Sequence, residues 1–204
     1  MKKRVLISSF EPFGGELINP SQEVTNALAG EFDTITLPVS RHVAPEALIA
    51  EVRKTRPDTL IMLGECGGSA EILLERVAIN LDDFPIPDHA HNQPKEEDIF
   101  PDGPKAYFST LPLNAIKCAL TQKRIPCRIS NSAGTYLCNH LFYCLRHYLE
   151  NSPTKAGFIH LPYLPAQAKP KPKGTPAMEL DNMLHSVRTM IKTCEEASAE
   201  NNLA

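Results

Sequence analysis

The chain has 204 residues, of which 42% are hydrophobic and 22% charged, and a formal net charge of −3. That length and apolar content suit one ordinary domain with a sizeable core, and the small net charge gives no electrostatic footprint of a nucleic-acid or membrane partner. No run reaches the roughly 18 apolar residues of a membrane span. The six cysteines (66, 118, 127, 138, 144 and 194) contain no CxxC pair and no evident disulfide framework, so the expectation is reduced thiols in a cytoplasmic protein.

Residues 4–9 (RVLISS) are a short β-branched run, predicted as a central parallel strand. The basic start before Val5-Leu6-Ile7 mimics a signal peptide, but Glu11 interrupts the apolar stretch too soon. Phe10-Glu11-Pro12-Phe13-Gly14-Gly15 reads as a loop, and Asn19-Pro20-Ser21 opens a helix running to about Ala29, with Asn19 or Ser21 as its cap. Residues 34–38 are a second strand, 45–56 a second helix, and 59–63 (TLIML) a third strand ending in Gly64-Glu65-Cys66-Gly67-Gly68. Residues 76–81 (RVAINL) alternate like a strand. From 83 to 112 the chain is rich in Pro, Asp and His without a period, which suits a functional cover or binding loop.

Residues 113–123 are a helix and 127–130 a strand. The small residues Asn131, Ser132, Ala133 and Gly134 then break the pattern, and a helix begins at about Leu137, with Leu141, Leu145, Tyr148 and Leu149 at helical spacing. Residues 155–160 are a last core strand, 162–176 (with KPKPKG at the centre) an extended basic loop, and 177–197 an amphipathic closing helix. Strands alternating with helices imply a single α/β domain over residues 1–204, an α/β/α sandwich around a mostly parallel, twisted sheet.

Cys138 falls in the first turn of its helix, where unpaired amides and the dipole favour an anion. A thiol so placed can titrate well below the ~8.5 of free cysteine. In an open parallel sheet, ligands bind beyond the carboxyl ends of the strands. The loops at Phe10, Gly64 and Asn131 are predicted to meet there, and His160 ends its strand at the same edge. A helix-start thiol with a nearby imidazole is the pairing of a cysteine hydrolase, and Glu75 is a candidate to orient the ring. Read singly, each has a plainer explanation: a buried apolar cysteine, a hydrogen-bonded structural histidine, a solvated Glu75-Arg76 charge pair. Gly14-Gly15 lacks the rest of a nucleotide motif, and the scattered Cys and His residues do not form a zinc pattern.

FEPFGG with INPS, ERVAIN preceded by GG, SNSAGTYLCNH and FIHLPYLP, in that order along nearly the whole chain, resemble the pyroglutamyl-peptidase I (pyrrolidone-carboxylate peptidase) family. The resemblance implies a cytosolic, metal-free and cofactor-free cysteine peptidase, commonly a homotetramer, acting on peptides with an N-terminal pyroglutamate. By position it makes Cys138 the nucleophile, His160 the base and Glu75 the third member of the triad. Phe10 and Phe13, with Gly14 between them and the helix, resemble the ring-binding loop. Tyr136 and Leu137 occupy the family's Phe-Val positions, and Glu65 lies next to the pocket. Pyroglutamate is a neutral lactam, so apolar walls and a few backbone groups suit it.

The chain departs from that pattern in several places. Glu65 stands where Gln is usual, and Ser69 where Arg is frequent. Phe84-Pro85 follows Asp82-Asp83, without the arginine common after that pair, and Leu73-Leu74 precede Glu75 where Thr or Ser and Pro are usual. A charged Glu65 beside the thiol would oppose its ionisation unless it points away or is protonated. Two other readings therefore stay open: a related hydrolase of another small cyclic amide or acyl group, and a non-catalytic pyroglutamyl-binding homologue. The oligomer interface is expected on the closing helix or the Pro-rich loop.

Overall fold

The structure, a computed structural model, describes residues 4–200. In chain order its elements are β1 (Val5–Phe10), α1 (Pro20–Leu28), β2 (Asp33–Leu37), α2 (Val43–Thr55), β3 (Thr59–Glu65), β4 (Ile72–Glu75), β5 (Val77–Ile79), β6 (Ala106–Phe108), α3 (Leu113–Gln122), β7 (Cys127–Ser130), α4 (Leu137–Tyr148), β8 (Lys155–Leu161), α5 (Pro165–Ala168) and α6 (Leu180–Glu200). Six strands form one sheet in the order β2-β1-β3-β8-β4-β7, and β5 pairs with β6 in a separate two-stranded ribbon.

β1, β3 and β8 are buried on both faces, so their sequences read as continuous apolar runs rather than alternations. Alternate residues nevertheless serve different layers. Leu6, Met62 and Phe158 face a core shared with α2 and α4, whereas Ile7, Ile61 and Ile159 face one shared with α1, α3 and α6. The α/β/α layering is as the sequence implies. At the start of α1, Asn19 Oδ1 accepts from the Ser21 amide at 3.0 Å, with Pro20 in the first turn. No helix among the described residues is long and apolar enough to cross a membrane.

The structure corrects several boundaries. The strand in the main sheet is Ile72–Glu75, and the RVAINL stretch, expected as a strand, is one over Val77–Ile79 but leaves the sheet as β5 to pair with β6. The segment 83–112, expected to be irregular, contributes β6 and an Asp82–Glu97 bridge. The Pro-rich segment 162–176 holds the short helix α5. The closing helix starts at Leu180 rather than 177, with Met178 already in the core.

Strand direction is the larger correction. β4 pairs antiparallel with β8 and parallel with β7, so β7 runs opposite to β1, β3 and β8. Residues 131–137 therefore leave the sheet at the edge opposite to the loops after β1 and β3. They are not a tight strand-to-helix turn. They travel back along the sheet so that α4 begins over the carboxyl end of β3.

Candidate active site

α4 begins after Tyr136, whose backbone is extended and whose side chain makes no capping hydrogen bond. Its first turn carries no acidic residue, so the leading amides keep their positive potential for another anion. Cys138 lies in that turn and reaches down onto β3 at Gly64. An added Cβ on Gly64 would lie 3.0 Å from Cys138 Sγ and 2.7 Å from the Phe158 ring. Gly64 is thus required for the thiol to reach the sheet. The GECGG run marked a turn in the sequence, but nothing local marked this contact.

Gly64 registers with His160 on β8. His160 and Glu75 lie on the same side of the sheet as Phe158, and both are buried. The His160 Nδ1–H donates to Glu75 Oε1 at 2.8 Å, which leaves Nε2 for its hydrogen bond with Cys138. Glu75 Oε2 is buried with no hydrogen-bond partner among the described residues. Burial lowers the proton affinity of His160, but Cys138 and Glu75 together outweigh it and raise the imidazole to about 10. The three residues picked from sequence are thereby in one chain of contacts, with a protonated ring between the Cys138 sulfur and a carboxylate. Glu75 is the last residue of a core strand, which accounts for its complete burial.

The walls come from two further segments. The ring of Tyr136 stands edge-on to Phe84 at 4.7 Å and lies 6.4 Å from Phe13. Its hydroxyl donates to Pro87 O at 3.3 Å, and burial, with Asp88 and Cys138 adding to it, pushes that hydroxyl up to about 12. Thr135 Oγ1 donates to Asp83 O at 2.8 Å, so residues 83–87 lie along the start of α4 as a wall. Phe84, which sequence reasoning noted only as a departure, is fully buried. Near the missing arginine a cation still arrives: Lys95 Nζ donates to Phe84 O at 2.6 Å and lies 3.4 Å from Asp83.

The remaining candidates divide. Phe10 ends β1 instead of opening a loop, and the side chains of Phe10 and Leu137 belong to the core beneath the site. Gly14 has a positive φ of 63°, which an L side chain would resist, and turns the chain after Phe13. Glu65 does not approach the thiol. It shares the face of Leu63 and Leu161, opposite to Gly64, and its Oε2 accepts from Gln167 Nε2 at 2.7 Å. Gln167 is itself buried and also donates to Ile18 O at 3.1 Å. Burial raises the Glu65 carboxyl above its ordinary range, with Gln167 opposing that shift. Ser69 caps a local turn, accepting from the Glu71 amide at 3.2 Å.

Cys66 lies close by, and Cys144 lies further along α4. Cys66 feels His160, Glu75 and Cys138, but burial raises it. Cys144 faces His140 Nε2 at 3.4 Å, and His140 Nδ1 donates to Asp82 Oδ2 at 2.8 Å, an arrangement like the first. Burial pushes the Cys144 thiol up to about 12, so this second set lacks an ionisable nucleophile at neutral pH.

The family model described as pyroglutamyl peptidase matches residues 3–197. The pyrrolidone-carboxylate peptidase of Vibrio vulnificus is 45% identical over 204 residues, covering 97% of this chain and 95% of the relative. The pyrrolidone carboxyl peptidase structure from Thermococcus litoralis superposes with a TM-score of 0.93 at 36% identity, over 98% of this chain and 96% of that one. The pyroglutamyl peptidase I structure from Bacillus amyloliquefaciens gives a TM-score of 0.91 at 37% identity, over 95% of each chain. By sequence along nearly its whole length, and by fold, this chain belongs to the pyroglutamyl peptidase family.

Proposed function

We propose that the protein removes N-terminal pyroglutamate from peptides by covalent catalysis at Cys138, with His160 as acid and base and Glu75 orienting the ring. The observation that carries this reading is the buried contact chain Glu75–His160–Cys138. With the thiol proton held on His160, Cys138 sulfur attacks the pyroglutamyl carbonyl carbon, forming the S–C bond while the carbonyl π pair moves to the oxygen. The uncapped amides at the start of α4 face that negative charge, a role worth ~3 kcal/mol per donor where it has been measured. His160 gives its proton to the amine as the C–N bond breaks. It then takes a proton from water, which attacks the thioester and releases pyroglutamic acid and the Cys138 sulfur.

The walls suit the substrate. Phe13 and Tyr136 are aromatic, with the buried Phe84 packed against Tyr136, and Glu65 points to the other face, so it offers no charge for an N-terminal ammonium. The same reading has the protein acting in the cytoplasm as a homotetramer. The apolar residues expected to provide an assembly surface on α6 are packed in the core, and Leu17, Val43 and Phe108 are exposed elsewhere.

The test is release of a fluorophore from a pyroglutamyl amide, with Cys138→Ser alongside. Turnover in the wild type and its loss in a folded mutant are expected, because Ser is well tolerated at a helix start. Equal rates in the two would remove Cys138 from the mechanism.

A further inference from the structure

Asn139 follows the nucleophile, is fully buried, and turns its whole side chain onto a different part of the molecule. Its Oδ1 accepts from the Ile79 amide at 2.9 Å, and its Nδ2 donates to Ile79 O at 2.9 Å and Leu81 O at 3.0 Å. The amide group thus acts as a one-residue strand partner along β5, whose other edge pairs with β6. Asparagine is a poor helix former and ordinarily serves a helix start as its cap. Here the cap position is Tyr136, and Asn139 lies inside the first turn with three of its hydrogen-bonding positions committed to one backbone segment.

That segment begins at the triad. Glu75 ends β4, β5 follows at once, and Ile79 is four residues beyond Glu75. Asn139 therefore ties the turn that carries Cys138 to the strand continuation that carries Glu75, which in turn holds His160. The next residue adds to the tie, since His140 Nδ1 donates to Asp82, itself paired with Arg41 Nε at 2.8 Å. The thiol has little room for error at its other end, because Gly64 admits Sγ only by lacking a Cβ.

We propose, on the reading of function given above, that Asn139 is a positioning residue for the peptidase reaction: its clamp on Ile79 and Leu81 sets where Cys138 sulfur sits relative to His160. A displaced nucleophile loses rate in the chemical step. Binding of the pyroglutamyl ring to Phe13 and Tyr136 is left in place.

The experiment compares Asn139→Ala and Asn139→Asp with the wild type in the pyroglutamyl amide assay, and with Leu120→Ala as a core truncation on the opposite face of the sheet. Asn139→Asp keeps an acceptor for the Ile79 amide and loses both donors, so it remains informative if the alanine variant does not fold. The expected result is a fall in kcat on the order of 10²-fold with KM little changed. A parallel slowing of iodoacetamide alkylation at Cys138, located by peptide mapping, is expected with it. Leu120→Ala should lower the melting temperature yet keep kcat per folded molecule and alkylation at wild-type values. The proposal is overturned if the Asn139 variants keep their kcat, or if they change KM instead. An inactive folded wild type, or an active Cys138→Ser, would count against the proposed function and not against Asn139.

Discussion

Gly64 and Cys138 meet so closely that the space for one methyl group separates a working approach from a blocked one: a Cβ at position 64 would stand 3.0 Å from the sulfur and closer still to Phe158. Gly64→Ala is therefore expected to be damaging although alanine is the smallest available change. Phe158 is locked in the core, so the displaced group is α4. We expect a stability loss of about 1–3 kcal/mol from overpacking and a fall in kcat on the order of 10²-fold from misplacement of the sulfur. Steady-state kinetics and denaturant titration measure the two separately, and a variant with wild-type kcat would contradict the contact.

The proton on His160 gives a pH prediction. Its folded value lies near 10 against an ordinary 6.5, with burial opposing and Cys138 and Glu75 producing the rise. A raised histidine stabilises the fold fully below about 6.5, and that contribution is lost as the pH rises through about 10. The melting temperature should fall across that window in the wild type. In Glu75→Gln the fall should come at lower pH, because one of the groups holding the proton has lost its charge. The alkaline limb of kcat/KM should move in the same direction. A limb at the ordinary histidine position in the wild type would contradict the ion pair.

Glu65→Gln restores the residue usual in the family and is expected to change little in catalysis, because the carboxylate lies on the far face of the sheet against Gln167. Its raised carboxyl means that charging it costs folding energy, present as a loss of stability when the pH rises above the ordinary value of 4.5. The amide keeps an acceptor for Gln167 and carries no charge. At neutral pH the variant should match the wild type or exceed it by up to about 1 kcal/mol. A large change in kcat would place the side chain at the thiol instead.

Alkylation should follow the thiols' surroundings. Cys144 is pushed up to about 12 and Cys66 and Cys127 are raised, all chiefly by burial. At neutral pH, substoichiometric iodoacetamide should label Cys138 first, and activity should disappear in step with that label. Earlier labelling of Cys66 or Cys144, read by mass spectrometry, would reverse the assignment of the nucleophile.

The proposed catalytic residues were legible because each carries its own local mark: a cysteine at a helix start, a histidine ending a strand, an acid before an alternating run. Other features left no such mark. Ile72–Glu75 was passed over because it is buried on both faces and does not alternate, whereas the neighbouring RVAINL does and drew the strand assignment. The direction of β7 is set by which strand it pairs with, and no window of residues around it records that. Glu65 illustrates the same limit at one side chain. It directly follows Gly64, which meets Cys138, yet the pleat sends it to the opposite layer, which is visible only once the register of β3 is known.

β8 is the last strand in the chain but occupies the middle of the sheet, between β3 and β4. The strands made before it therefore form two groups, β2-β1-β3 and β4-β7, that share no hydrogen bonds with one another. During synthesis, a nascent chain stopped before residue 155 already contains Cys138 and Glu75 but leaves the β3 and β4 edges open that β8 covers in the completed sheet. Insertion of β8 joins those halves and delivers His160 in the same step, so the chain acquires its continuous sheet and the Glu75–His160–Cys138 contacts together.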